Sequence, residues 1–123
     1  MLYIIRIVLY LIIHSHQKKN KMEITKMRSP RSGQPVPNQF DIQVENKRIF
    51  KSYESVIVMI RNNKVYLDTE YWDWSNTTGK YRNIFLGENK KDTEMKIKSG
   101  EYILTDLQNE LDKEEFKFFK NKK

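Results

Sequence analysis

From Gln39 to Glu45 the chain alternates polar and apolar side chains without a break, Gln-Phe-Asp-Ile-Gln-Val-Glu. A period of two is the signature of a strand with one buried face. Pro37 just before it marks an edge or a strand entry. Glu45-Asn46-Lys47 turns the chain and Arg48 to Tyr53 returns it. Val56-Ile57-Val58-Met59-Ile60 is a continuous run rich in β-branched residues, as expected of a central strand buried on both faces. Asn62-Asn63 separates it from Lys64-Val65-Tyr66-Leu67-Asp68, and because Asn tolerates positive φ this predicts a two-residue hairpin. Upstream, Glu23 to Arg28 fits a short strand, followed by the turn residues Ser29-Pro30-Arg31-Ser32-Gly33.

Beyond Tyr71 the period changes. Trp74, Thr78, Tyr81 and Phe85 are spaced four, three and four apart, which predicts one buried helical stripe with Lys80 and Asn83 facing away. Ser75 is the expected N-cap, Asp73 favours the positive helix end, and Gly87 stands where a left-handed residue closes a helix. Gly79 inside that helix costs ~1 kcal/mol relative to Ala, so it is expected to admit the close approach of another backbone. Burying one ring such as Tyr81 or Phe85 contributes roughly 2 kcal/mol and offsets that loss. Asn89 to Lys98 reads as a second, more polar helix closed by Gly100, and Tyr102-Ile103-Leu104 as a last strand. Thr105-Asp106-Leu107-Gln108 matches a capping box opening a charged helix with Leu107, Leu111 and the cluster Phe116, Phe118 and Phe119. The pattern predicts an α+β fold: a small antiparallel sheet of four or five strands, then two helices, a further strand and a charged C-terminal helix.

The termini stand apart from this pattern. Residues 2–13 are apolar except for Arg6, too short as a helix (~18 Å) for a hydrocarbon core of ~30 Å. They lack the charged start and small-residue cleavage site of a secretory signal. A Gln-Lys-Lys-Asn-Lys run directly before Met22 is what an A-rich leader gives when translated. Met22 is therefore the expected native start, with 1–21 an over-extension. The other readings of 1–21 are an atypical hydrophobic leader that anchors to a membrane, or an extra ordered segment. Residues 22–108 form the expected single domain and 109–123 a charged helical tail.

Charge changes the picture less than its sum implies. The net charge is +7, but residues 1–21 carry Arg6, Lys18, Lys19 and Lys21 with no acid, and the last twelve residues are lysine-rich. Between 22 and 111 there are 14 basic and 13 acidic side chains. The basicity sits at the ends, which weakens an electrostatic case for nucleic acid. The chain has no alanine but 17 Lys, 13 Ile and 10 Asn, a bias that AT-rich coding accounts for without any binding role.

Candidate chemistry is sparse. There is no cysteine, and both histidines, His14 and His16, precede the predicted domain. Thiolate chemistry, and most zinc and general-base chemistry, is thereby removed from the core. Thr77-Thr78-Gly79-Lys80 has the tail of a P-loop, but the first glycine of that motif falls on Trp74 and its final hydroxyl on Tyr81. Asp68, Glu70 and Asp73 are clustered without the glycine turn or distal Glu of a calcium loop. Glu94-Met95-Lys96 has nuclease-like spacing but sits on a charged helical face. No catalytic residue, metal ligand set or cofactor is expected. The aromatic set Tyr53, Tyr66, Tyr71, Trp72, Trp74 and Tyr81, with Lys80 and Arg82 nearby, has the makings of a base-stacking surface, although aromatics at these spacings also build cores.

Met27-Arg28-Ser29-Pro30-Arg31-Ser32-Gly33, Asn38-Gln39-Phe40, Ser52-Tyr53, Trp72-Asp73-Trp74-Ser75, Thr77 to Asn83, Phe85-Leu86-Gly87-Glu88 and Lys96 to Tyr102 together resemble a family of small domains of unknown function. That family is encoded by phages and prophages of low-GC bacteria. The resemblance covers about 24–107, and Trp74 stands where the family has tyrosine. It implies boundaries near Met22 and Leu107 and an origin on a mobile element, and it brings no activity. The expected function is a non-enzymatic accessory protein of the host cytoplasm that binds a host or phage protein. Single-stranded nucleic-acid binding is the alternative, and a membrane role depends on 1–21. The expected binding residues are Trp72, Asn76, Lys80, Arg82 and Asn83, on the exposed side of the first helix. Lys80→Glu with Arg82→Glu should then abolish binding with little effect on stability.

Overall fold

The computed structural model describes residues 22–110. Six strands form one sheet in the order of the chain: β1 (Met22–Arg28), β2 (Pro35–Val44), β3 (Lys47–Ser52), β4 (Ser55–Arg61), β5 (Lys64–Asp68) and β6 (Tyr102–Thr105). β1 to β5 are an antiparallel meander, whereas β6 lies parallel to β5, Val65 beside Tyr102 and Asp68 beside Thr105. The crossover between them carries α1 (Asn76–Leu86) and α2 (Lys90–Ser99), and α3 (Leu107–Glu110) follows β6. The chain is thus mixed α+β, with the last strand joined to the same sheet. The remainder of the charged tail, like segment 1–21, lies outside the described residues.

The turns follow from residues that accept a left-handed backbone. Asn62 and Asn63 both have positive φ (53° and 63°), as a two-residue hairpin between right-twisted strands requires. β2 starts at Pro35, earlier than the alternation alone indicated, because its first residues pair beyond an irregularity between Lys26 and Arg28.

The sheet buries both faces. β4 is the central strand: Val56, Ile57, Val58 and Met59 are all buried. Phe50 pairs with Val58 but Lys51 with Val56, so Ile57 is an extra residue. This bulge lets consecutive Ile57 and Val58 enter the same core. That core joins Met27, Phe50, Leu67 and Tyr102 to Tyr81 and Phe85 of α1, with Ile97 of α2 packed against it. Phe50 and Phe85 stack at 5.7 Å, and the Arg48 guanidinium lies 4.3 Å from the Phe85 ring centroid. Ile42, Val44, Ile49, Val56 and Met59 form the second cluster together with Leu107.

Three polar groups fasten the crossover. Asp68, at the end of β5, accepts from Glu70 N and Tyr71 N with Oδ2, and from Leu107 N with Oδ1. Glu88, at the corner between α1 and α2, accepts from Thr93 Oγ1 (2.6 Å), Lys96 Nζ (2.9 Å) and Tyr102 OH (2.6 Å). Burial pushes the Glu88 carboxyl up, but the bonds from Lys96, Thr93 and Tyr102 together outweigh it and hold the group below its ordinary value. Burial and the bond to Glu88 push the Tyr102 hydroxyl up to about 12. Arg82 is the third fastening, described with the site.

The expected capping box takes a different form. Asp106, not Thr105, caps α3, accepting from Gln108 N (3.1 Å) and Asn109 N (3.3 Å). Gln108 instead reaches across to the backbone of Val56, donating to its oxygen at 2.7 Å and accepting from its nitrogen at 3.1 Å. No helix among the described residues is long and apolar enough to cross a membrane.

Candidate functional site

The start of α1 is a ridge with a hollow on either side. Ser75 is its N-cap, in extended conformation (φ −149°, ψ 168°), with Oγ accepting from Thr78 N at 3.1 Å. The same hydroxyl donates to Thr78 Oγ1 at 3.1 Å, and Thr78 Oγ1 lies 3.0 Å from Ser52 Oγ on β3. This chain of three hydroxyls, with Ser52 and Thr78 buried and Ser75 at the surface, ties the helix end to the sheet. At the other end Gly87 has φ 70° and its N–H donates to Asn83 O, so the helix stops where the sequence indicates.

The charged hollow, about 490 Å³, holds four of the five expected binding residues: Asn76, Lys80, Arg82 and Asn83, beside Asp73, Lys90 and Pro30. Asn76 and Lys80 are exposed and Asn83 is half-buried. Arg82 is not a surface residue, and this corrects the expectation that it flanks the exposed side. It is 1% exposed. Its Nη1 donates to Trp72 O (2.7 Å) and Asp73 Oδ1 (3.1 Å), and its Nη2 to Asn83 Oδ1 (3.0 Å). The fifth expected residue, Trp72, is half-buried behind it, with the guanidinium 5.1 Å from its ring centroid. Asp73 also pairs with Lys90 Nζ at 2.6 Å. Burial raises the Asp73 carboxyl, but the bonds from Lys90 and Arg82 dominate and hold it below its ordinary value. Asp68 and Asp73 are therefore occupied by backbone amides and by cations respectively.

Gly79 owes nothing to a neighbouring backbone. A Cβ there would meet Arg82 Nη2 at 3.7 Å and Arg82 Nη1 and Asp73 Oδ1 at 3.8 Å, ordinary van der Waals contact with side chains.

The second hollow, about 350 Å³, is uncharged. Its lining combines the rings of Tyr53, Tyr71 and Trp74 with the hydroxyls of Ser52, Ser55, Ser75, Thr77 and Thr78, over Ile57. Trp74 was expected on the buried stripe with Thr78, Tyr81 and Phe85. Those three are buried, but Trp74 is 63% exposed, because it precedes the extended N-cap and the helical spacing does not reach it. Its ring lies against Tyr71, 4.9 Å between centroids at 56°. Tyr53, 50% exposed, stands in the turn between β3 and β4 with φ 55°. A bulky side chain in the left-handed region is an outlier that costs of order 1 kcal/mol or more, and Tyr53 N is fixed there by a 2.7 Å bond to Asn38 O.

Of the aromatic set named from sequence, the fold gathers Tyr53, Tyr71 and Trp74 here. It places Tyr81 in the core, Trp72 against Arg82, and Tyr66 against the second cluster. Tyr53 and Trp74 are the exposed rings that the expected list of binding residues left out.

A family model of unknown function (DUF8033) matches residues 22–102, and the chain belongs to that family. No curated protein and no solved structure matches the chain.

Proposed function

We propose that this member of the family is a non-enzymatic accessory module, encoded by a phage or prophage and acting in the host cytoplasm, that captures a host or phage protein on the ridge at the start of α1. The observation that carries the reading is the exposure of Trp74 and Tyr53 around one hollow, above a locked layer of hydroxyls. Tryptophan and tyrosine are the residue types most often found as interface hot spots, whereas isolated surface lysines contribute little. A tyrosine kept in a left-handed turn is a cost to the fold, and such costs persist where the side chain is used. The mobile-element origin rests on the resemblance of the chain's motifs to phage-encoded domains. Nucleic acid is the weaker reading, because the rings sit in an uncharged hollow while Lys80 and Lys90 line the other one, and a single strand needs both together.

The test is affinity capture from infected host cells with the full chain, Trp74→Ala and Tyr53→Asn, with and without nuclease. Asn accepts positive φ, so the second variant removes the ring without adding strain. A protein retained by the wild type, insensitive to nuclease and lost from both variants is the expected result. Capture unaffected by both variants refutes the site, and capture that vanishes with nuclease promotes the nucleic-acid reading.

A further inference from the structure

We infer that the uncharged hollow takes a proline-rich segment of the partner in polyproline II conformation; this rests on the partner-binding reading above. Two observations beyond ring exposure point to that ligand. First, the lining holds no charged side chain, so it offers no ion-pair partner and favours a neutral ligand over a phosphate or a carboxylate. Second, the polar groups at its rim are unengaged. The side chains of Tyr53, Ser55, Tyr71 and Thr77 and the indole N–H of Trp74 make no hydrogen bond to a described residue, whereas Ser75 and the buried Ser52 and Thr78 are linked by hydroxyl bonds. The rim thus presents hydroxyl and indole N–H donors around flat rings.

A polyproline II segment has the complementary surface. Its carbonyls are exposed acceptors, its prolines have no N–H, and its pyrrolidine rings pack on aromatic faces. Aromatic-lined grooves are the recurrent way of binding it, helped by the low entropy of the preformed helix. Tyr71 and Trp74, tilted by 56° at 4.9 Å, form one wall of such a groove, and Tyr53 stands on the same hollow from the sheet side. A β-strand ligand needs a free strand edge to pair with, and an amphipathic helix needs an extended apolar trough; this lining of three rings and five hydroxyls over Ile57 offers neither.

The test is titration of the full chain with a proline decapeptide, followed by tryptophan emission, with a glycine-serine decapeptide, a thymidine oligonucleotide and a neutral oligosaccharide as comparison ligands. The expected result is saturable binding of the proline peptide alone. Affinity should fall at least tenfold in Trp74→Ala (followed by peptide-observed fluorescence anisotropy) and in Tyr53→Asn, with little change in Lys80→Glu, which lies on the other hollow. Absence of saturable binding overturns the inference, as does equal binding of the glycine-serine peptide, preference for the oligonucleotide or saccharide, or indifference to both ring variants. The two levels fail separately. Partner capture that depends on Trp74 with no proline-peptide binding sinks this inference alone, and capture indifferent to Trp74 sinks the reading beneath it.

Discussion

Charge reversal at Arg82 and at Lys80 separates a structural cation from a surface one within the same helix. Arg82→Glu removes three hydrogen bonds, to Trp72 O, Asp73 Oδ1 and Asn83 Oδ1, and puts a carboxylate among those same acceptors at a position 1% exposed. Breaking a buried ion pair from one side costs about 3–5 kcal/mol. Asp73 is 32% exposed and keeps Lys90, which argues for the lower end. The Trp72 carbonyl left without its donor adds about 1 kcal/mol or more. A total of roughly 4 kcal/mol is a large fraction of the 5–15 kcal/mol typical of a domain. For a domain of this size it lowers Tm by about 15–30 °C. Lys80→Glu changes an exposed side chain whose Nζ lies 5.6 Å from the Tyr81 ring centroid, and should stay within about 0.5 kcal/mol. Arg82→Met, which buries no charge, should fall between them. Thermal unfolding followed by circular dichroism, with a urea titration beside it, reads all three. Tm values for Arg82→Glu and Lys80→Glu within a few degrees of each other would show that the Arg82 guanidinium is not a fastening, and the account of the crossover built on it would fail.

Gly79→Ala should stabilise by about 0.5–1 kcal/mol through helix propensity, since its Cβ meets side-chain atoms no closer than 3.7 Å; a fall in the urea midpoint would mean that Arg82 needs the space. Gly87→Val should cost about 1 kcal/mol or more, from strain at φ 70° and not from crowding, because nothing lies within 4 Å of a Cβ there; an unchanged Tm would place the helix end elsewhere. Glu88 titrates below its ordinary value of 4.5 in the folded chain, so its contribution is present above that value and lost as pH falls through and below it. Glu88→Gln should therefore flatten that part of the acid limb in urea midpoints, and a parallel acid limb in the variant would exclude Glu88 as its source.

The strands were legible because each rests on a local signal: alternation in Gln39–Glu45, the β-branched run of β4, and turn residues between them. The parallel docking of β6 against β5 was not, since nothing in Tyr102-Ile103-Leu104 names its neighbour. Helical spacing does not extend from Thr78 back to Trp74, because the extended backbone of Ser75 breaks the rotation of 100° per residue. Arg82 carried a usable signal: it stands four residues after the buried Thr78, on the same helical face, with Asp73 upstream to pair with it. Arginine's preference for the surface hid that alternative. Asp106 displaced Thr105 as the cap because its carboxylate reaches two amides while Gln108 is drawn away to Val56. The left-handed turn at Tyr53 had no sequence signal, because tyrosine is among the residues least suited to it.

The position of the candidate site follows from the topology. β2 through β5 are joined by two-residue turns, which leave little chain with which to build a surface. A parallel strand cannot be reached by such a turn and needs a long crossover, so the segment between Asp68 and Tyr102 is where the fold has backbone to shape. Asp68, Arg82 and Glu88 hold that segment from beneath, while Ser75 and Thr78 bond it to Ser52 of the sheet. Trp74 and Tyr53 thus project from backbone already fixed on both sides of the hollow. Fixing the backbone in advance removes part of the ordering cost of association, which favours the proposed capture at a modest hollow with two exposed rings. By the same reasoning, loosening Arg82 should weaken capture at Trp74 even in molecules that remain folded, because the ring would have to be ordered at the moment of binding.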